Sequence, residues 1–207
     1  MSSGILLFML QPPVSFTCPS LISTDQQCMM HMLKSVQDYV IEQQITEAAA
    51  PHVFKVDDSC NRFHRLVVTG PQKLRELEQI TAVAFFGEVR PNSDAAEAVH
   101  RVDDELIGDF GKFTGLLSYS TVELPSGNWA NMALFVDPQA RDEWARNERH
   151  TRAIKELAAR HYRSIRLQNS TLVGPLATAR IEIERTKYYS YNDQLVWRAV
   201  REGGSEL

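Results

Sequence analysis

Residues 128–136 read NWANMALFV, residues 137–138 are Asp-Pro, residues 139–160 read QARDEWARNERHTRAIKELAAR, and residues 161–172 read HYRSIRLQNSTL. The first segment is strand-like, Asp137-Pro138 leads into a helix-like segment, and the last returns as a strand. Continued as one helix, the 3–4 spacing puts Ala140, Trp144, Asn147, Thr151, Ile154, Ala158 and His161 on a single stripe that must face the core. That stripe is apolar with polar interruptions. Asn147 and Thr151 lie on it and His150 borders it, so these groups are either satisfied inside a packed core or line a cavity that a ligand fills.

Outward from this stretch, residues 115–124 and 128–136 form a hairpin across Pro125-Ser126-Gly127. Thr81 to Val89 is an apolar run of strand length. Pro91-Asn92-Ser93-Asp94 starts a helix whose Ala95, Val99, Val102, Leu106 and Phe110 share one face. Earlier, Ile5 to Leu10 reads as a buried strand ended by two prolines. Ser23-Thr24-Asp25 offers cap chemistry for a helix running to about Ala49 with Met29, Leu33, Val36 and Val40 at helical spacing. Residues 52–56 and 63–69 read as strands, with a short helix over 72–78. Past Gly174-Pro175, Ala179, Ile181 and Ile183 alternate with charged neighbours in a last strand. The tail from Tyr188 is polar and aromatic, frayed beyond Glu202.

The order strand, helix, strand, strand, helix, strand predicts an α+β protein with a ferredoxin-like βαββαβ arrangement and an antiparallel sheet. Residues 1–80 read as a weaker copy, 81–190 as the half carrying the candidate pocket, and 191–207 as a tail. A sheet with one bare face must cover it, and back-to-back packing of two such sheets, within the chain or between the chains of a homodimer, closes a barrel.

Composition bounds the function. The chain has 207 residues, 43 % hydrophobic and 23 % charged, so it buries a substantial core. A net charge of -4 lacks the basic excess of a nucleic-acid surface. The arginines from Arg141 to Arg166 alternate with acids as far as Glu156, as on a solvated helix face. Cys18, Cys28 and Cys60 are an odd set without C-x-x-C spacing, which indicates neither zinc nor a disulfide framework and fits a reducing cytoplasm. The apolar opening lacks a preceding Lys or Arg and a small-residue cleavage site, and no run approaches the roughly 20 residues of a membrane span. There is no Gly-rich phosphate loop, nucleophile elbow or H-E-x-x-H motif. Met29, Met30 and Met32 read as core filler beside His31. Asp103-Asp104-Glu105 reads as a solvated face.

The strand ending LFVDPQA, the helix with W-A-R-N-E-R-H and the return strand resemble the dimeric α/β-barrel superfamily, the group containing antibiotic-biosynthesis-type monooxygenases and several haem-binding enzymes. The resemblance covers about half the chain. It implies a cavity for a small apolar or aromatic molecule, and cofactor-independent oxygenase or related proton-transfer chemistry. On the matching positions Trp144 would wall the pocket, Asn147 orient a substrate oxygen and His150 serve as base or ligand.

Each residue also has a plainer account. His150 is either a base or iron ligand or a partly exposed helix histidine. His161, eleven residues on, returns to nearly the same face about 16 Å along the axis, so one metal cannot bind both. Trp144 is a core anchor that can also wall a pocket, and Thr151 sits beside it on the stripe. Arg166 either holds a substrate carboxylate or pairs on the surface. The sequence therefore predicts a cytoplasmic small-molecule oxidoreductase, monooxygenase-like, with no metal and no required cofactor. A haem enzyme with His150 or His161 as axial ligand, and a non-catalytic binding or assembly module without a cavity, are the alternatives.

Overall fold

The computed structural model describes residues 19–47, 50–57, 62–191 and 196–203. In chain order these contain α1 (Pro19–Gln37), β1 (His52–Lys55), β2 (His64–Val68), α2 (Pro71–Glu76), β3 (Gln79–Val89), α3 (Ala96–Asp109), β4 (Leu116–Glu123), β5 (Trp129–Phe135), α4 (Pro138–Ala145), α5 (Glu148–Glu156), α6 (Ala158–His161), β6 (Tyr162–Val173), β7 (Arg180–Tyr191) and β8 (Val196–Glu202). The strands make one antiparallel sheet in the order β1-β2-β4-β5-β3-β6-β7-β8. From β3 to β6 the chain is a split βαβ unit with strand order β4-β5-β3-β6, so the expected α+β, ferredoxin-like antiparallel fold is the one adopted.

The described residues before β3 extend this same sheet. β2 pairs with β4 and β1 takes the outer edge, so the helix-strand-strand-helix order of the first half adds two strands and builds no second sheet among the described residues. At the other edge β7 and β8 continue past β6. β8 lies in the stretch expected to be an unpaired tail. Its sequence VWRAVRE lacks a clean alternation of apolar and polar residues, and only when paired with β7 do its residues alternate between exposed and half-buried. The strand expected at Ile5–Leu10 lies outside the described residues.

One face of the sheet is covered by α1. Met29, Leu33, Val36 and Val40, the predicted helical stripe, are all fully buried against Leu66, Ala82, Ala84, Met132 and Leu134. Over these strands the sheet face is covered by a helix of the same chain. α1 begins at Pro19 rather than at Ser23, and after Gln37 it widens through a π-helical turn, Asp38–Glu42, instead of running to Ala49. Asp25 is inside the helix because its carboxylate is engaged elsewhere: it forks Arg166 on β6 at 2.6 and 2.7 Å.

The opposite face carries α3 to α6. The stripe Val102, Leu106 and Phe110 packs with Tyr119, Phe135 and Trp144. Asp137 caps α4, accepting from the Ala140 amide at 2.8 Å, with Pro138 in the first turn. A Cβ on Gly115 would stand 2.2 Å from that of Ala140, so glycine is what lets α4 sit down on the sheet. The single helix expected over 139–161 is three helices. Asn147 ends the first and caps the second, its side-chain oxygen accepting from the Arg149 and His150 amides at 3.0 and 3.2 Å. Asparagine bonds nearby backbone in this way more readily than it continues a helix.

Candidate functional site

Because α4, α5 and α6 are separate segments, the helix layer does not seal the sheet beneath it. On the central strand β3, Ala82, Ala84 and Phe86 face α1 and are at most 1 % exposed, while Val83 and Phe85 face the helices and remain partly accessible. The space above them is a cavity of about 880 Å³. Its floor is Val83, Phe85, Asn131, Ala133, Ile165, Leu167 and Asn169; α3 contributes Val99, Val102, Asp103 and Leu106; Trp144, His150, Ala153 and Ile154 close the helix side. Tyr162, Tyr189 and Tyr191 line the end toward β7.

The start of α5 aims His150 into this space. Its ring lies 5.9 Å from that of Trp144, which is itself wedged against Phe110 and Phe113 at 5.4 and 4.8 Å. Nδ1 of His150 is buried and makes no hydrogen bond of ordinary geometry among the described residues. Burial pulls the imidazole pKa below 6.5, outweighing the upward pull of the Ala145 carbonyl, so the ring is neutral at pH 7.

Across the cavity a second polar group is assembled from two strands and one helix. The Tyr119 hydroxyl on β4 donates to Asp103 Oδ1 at 3.0 Å, and Arg65 on β2 pairs with the other Asp103 oxygen while its second nitrogen reaches Asp104 at 2.9 Å. Burial lifts the Asp103 carboxyl above its usual range against the pulls of Arg65 and Tyr119. Burial and the Asp103 charge together keep the Tyr119 phenol protonated far into the alkaline range. Asp103 is therefore not on a solvated face: it lies four residues from Val99 and one from Val102, at the edge of the inward stripe, and only Asp104 beside it is open to solvent.

Tyr162 is the third element. Its ring lies across Gly87, where a Cβ would come within 2.4 Å of it, and it meets Phe85 edge-on at 5.2 Å. Burial raises its phenol pKa well above the ordinary 10.0, and its hydroxyl has no hydrogen-bond partner among the described residues. Asn169 Nδ2, on the floor, is likewise buried and unbonded.

Of the residues the sequence singled out, Trp144 and His150 line the cavity together. Asn147 does not; its oxygen is committed to the cap. Thr151 continues α5, its amide bonded to the Asn147 carbonyl at 2.8 Å, and it too lies off the cavity lining. Arg166 points to the α1 face and is occupied by Asp25, so it is not placed to receive a ligand here. His161 is 2 % exposed with Nδ1 bonded to Ser93 Oγ at 2.9 Å, and is not part of the lining. The sequence missed Asp103, Tyr119, Tyr162 and Asn169. Asp103 carried a signal in its spacing from Val99; the others sit on strands whose partners are distant in the chain.

Among the described residues no group of three or more His, Cys, Asp or Glu side chains is placed to hold a metal ion, and no helix is long and apolar enough to cross a membrane. Burial pushes the Cys28 thiol up to about 12, which leaves it unreactive.

Neither a family model nor a curated protein sequence matches the chain. Among solved structures it is similar to protein SO0527 from Shewanella oneidensis, at 20 % identity over 47 % of this chain and 93 % of that one, with a TM-score of 0.41. NE2512, a protein of unknown function from Nitrosomonas europaea, is similar at 14 % identity over 44 % of this chain and 89 % of that one, TM-score 0.37. An aldoxime dehydratase is similar at 14 % identity over 77 % of this chain but only 46 % of that one, TM-score 0.31. The chain thus spans less than half of that dehydratase. Likenesses at this level carry no functional argument, and the ferredoxin-like assignment rests on the strand order itself.

Proposed function

We propose that the chain is an enzyme that moves a proton on a small, flat, largely apolar or aromatic molecule bound in the cavity, with His150 as the proton acceptor. The observation that carries this is a neutral imidazole lining an apolar cavity of about 880 Å³. With the ring proton on Nδ1, toward the Ala145 carbonyl, Nε2 keeps its lone pair. Nε2 takes the proton from an acidic C–H or O–H of the substrate, and the bonding pair remains on the substrate as an enolate or phenolate. Tyr162, held protonated and unbonded, donates to the oxygen on which that charge settles. In the oxygenase version dioxygen is the co-substrate, and the substrate anion is its electron donor. A packed assembly module without a cavity is disfavoured, although Asn147 is bonded to backbone as that alternative requires.

The test is solvent exchange. 2-Tetralone incubated with the protein in D2O should gain deuterium at its acidic carbon, followed by proton NMR, and His150→Asn should slow this by roughly 10²–10⁴-fold. Exchange at an undiminished rate in a folded His150→Asn protein would remove His150 from the mechanism.

The same neutral imidazole suits a second reading, in which His150 holds a haem iron; His161, 2 % exposed and off the cavity lining, is not placed for that role at this cavity. Haem would supply redox chemistry at iron, and the residues of this chain would hold and shield it. A stoichiometric Soret band on titration with haem, lost in His150→Ala, supports that reading; no band removes it.

A further inference from the structure

The charges that line the cavity are unevenly matched. Asp103 is paired with Arg65, Arg141 with Asp142 at 2.8 Å, and Arg185 with Glu202 at 2.9 Å. Glu184 accepts from the Thr171 hydroxyl at 2.5 Å. Besides Glu184, whose bonded partner is that hydroxyl, two lining charges lack an ion pair, and both are positive. Lys187 makes no ion pair or hydrogen bond among the described residues, and Arg198 has only the face of the Tyr189 ring, 5.9 Å from its guanidinium carbon. Both project from the cavity face of the β7–β8 pair. Tyr189 stands opposite Arg198 and Lys187 opposite Val200, which puts Lys187 and Arg198 on one diagonal, roughly 7 Å apart. That spacing is between strand positions, and two long cationic side chains rooted there, beside Tyr189 and Tyr191 at the rim of a mostly apolar cavity, can reach one anionic group.

We propose that Lys187 and Arg198 form an anion clamp, and that the ligand of the cavity is an aromatic or other flat apolar acid. Its carboxylate is held at the β7–β8 end, and its body extends over Val83 and Phe85 toward Trp144 and His150. This rests on the cavity being a ligand site, as proposed above, and adds the class of ligand. It also moves the acid-binding role expected of Arg166 to Lys187 on β7 and to Arg198 on β8, the latter in the stretch that the sequence left as a tail.

The probe is 2-naphthoate, with 2-naphthamide as its neutral counterpart of equal shape, each titrated calorimetrically into the full chain at low salt. The wild type should bind the acid at least about tenfold more tightly than the amide, the range of a charge-assisted contact. In Lys187→Gln/Arg198→Gln the ratio should fall toward one with the amide affinity unchanged, a pattern that general damage to the cavity would not give. Lys187→Gln alone should lose part of the preference. Equal affinities for the two probes in the wild type, or an undiminished preference in the double variant, overturns the clamp and leaves the cavity reading standing. Binding of neither probe overturns both.

Discussion

Residues of β3 alternate between two unlike environments. Ala82, Ala84 and Phe86 meet α1 in a closed layer, where Asp25 matches Arg166 and Gln168 accepts from Thr186 at 2.5 Å, while the buried Ser118 and Ser170 hydroxyls make no hydrogen bond among the described residues. Val83 and Phe85, one residue away, look into a cavity whose polar groups are left open at His150 and Asn169. A buried polar atom without a partner costs on the order of 1–3 kcal/mol, and both faces carry some. What separates the two faces is space: apolar packing fills the α1 side, while the cavity leaves room for a ligand beside His150 and Asn169.

That contrast is sharpest at the Asp25–Arg166 pair. Asp25→Ala leaves a guanidinium buried without its counter-charge and should destabilise the protein by about 3–5 kcal/mol, read from urea unfolding midpoints. Naphthoate affinity of the protein that remains folded should be unchanged, because neither residue reaches the cavity. A loss of affinity would mean that the two faces are coupled. Gly115→Ala comes next: its Cβ must displace Ala140 and with it α4, at a cost of about 1–3 kcal/mol and with weaker ligand binding, since Trp144 rides on α4.

Asn147 divides the structural from the chemical account of the helix break. Asn147→Ala should cost about 1 kcal/mol through the lost cap, and Asn147→Ser should recover most of it along with proton exchange. Recovery of stability without recovery of exchange would return Asn147 to the chemistry. The smallest effect is on pH dependence. His150 and His161 both have pKa values lowered by burial, so the unfolded chain binds the extra protons first as pH falls. Their contribution to stability is complete above about 6.5 and is lost as pH drops from there toward the folded-state values. His150→Asn should flatten part of that slope in thermal unfolding scans.

The features legible in the sequence are those set by local periodicity. The β4–β5 hairpin, the apolar β3 run and the buried stripes of α1 and α3 follow from spacing alone, and these fix the ferredoxin-like order. Trp144 and His150, which line the cavity, were also legible, since Trp144 lies on the inward stripe and His150 borders it. What escaped was settled by partners far along the chain. Asp25 looks like a cap until Arg166, 141 residues away, claims it. Asp103 looks solvated beside Asp104 until Tyr119 and Arg65 fold against it. β8 mixes charged and apolar residues on both faces, so its alternation of exposure emerges only once β7 pairs with it. The stripe that placed Asn147 and Thr151 inside assumed an unbroken helix, and the break is made by Asn147 itself.

The central claim is that His150 is a neutral, ligand-facing imidazole, and nitrogen-15 NMR of its ring tests it most directly. The account predicts a neutral ring at pH 7 that titrates below 6.5, with ring signals that shift when 2-naphthoate is added. A pKa at or above 6.5, with signals unmoved by a ligand that binds, would contradict it.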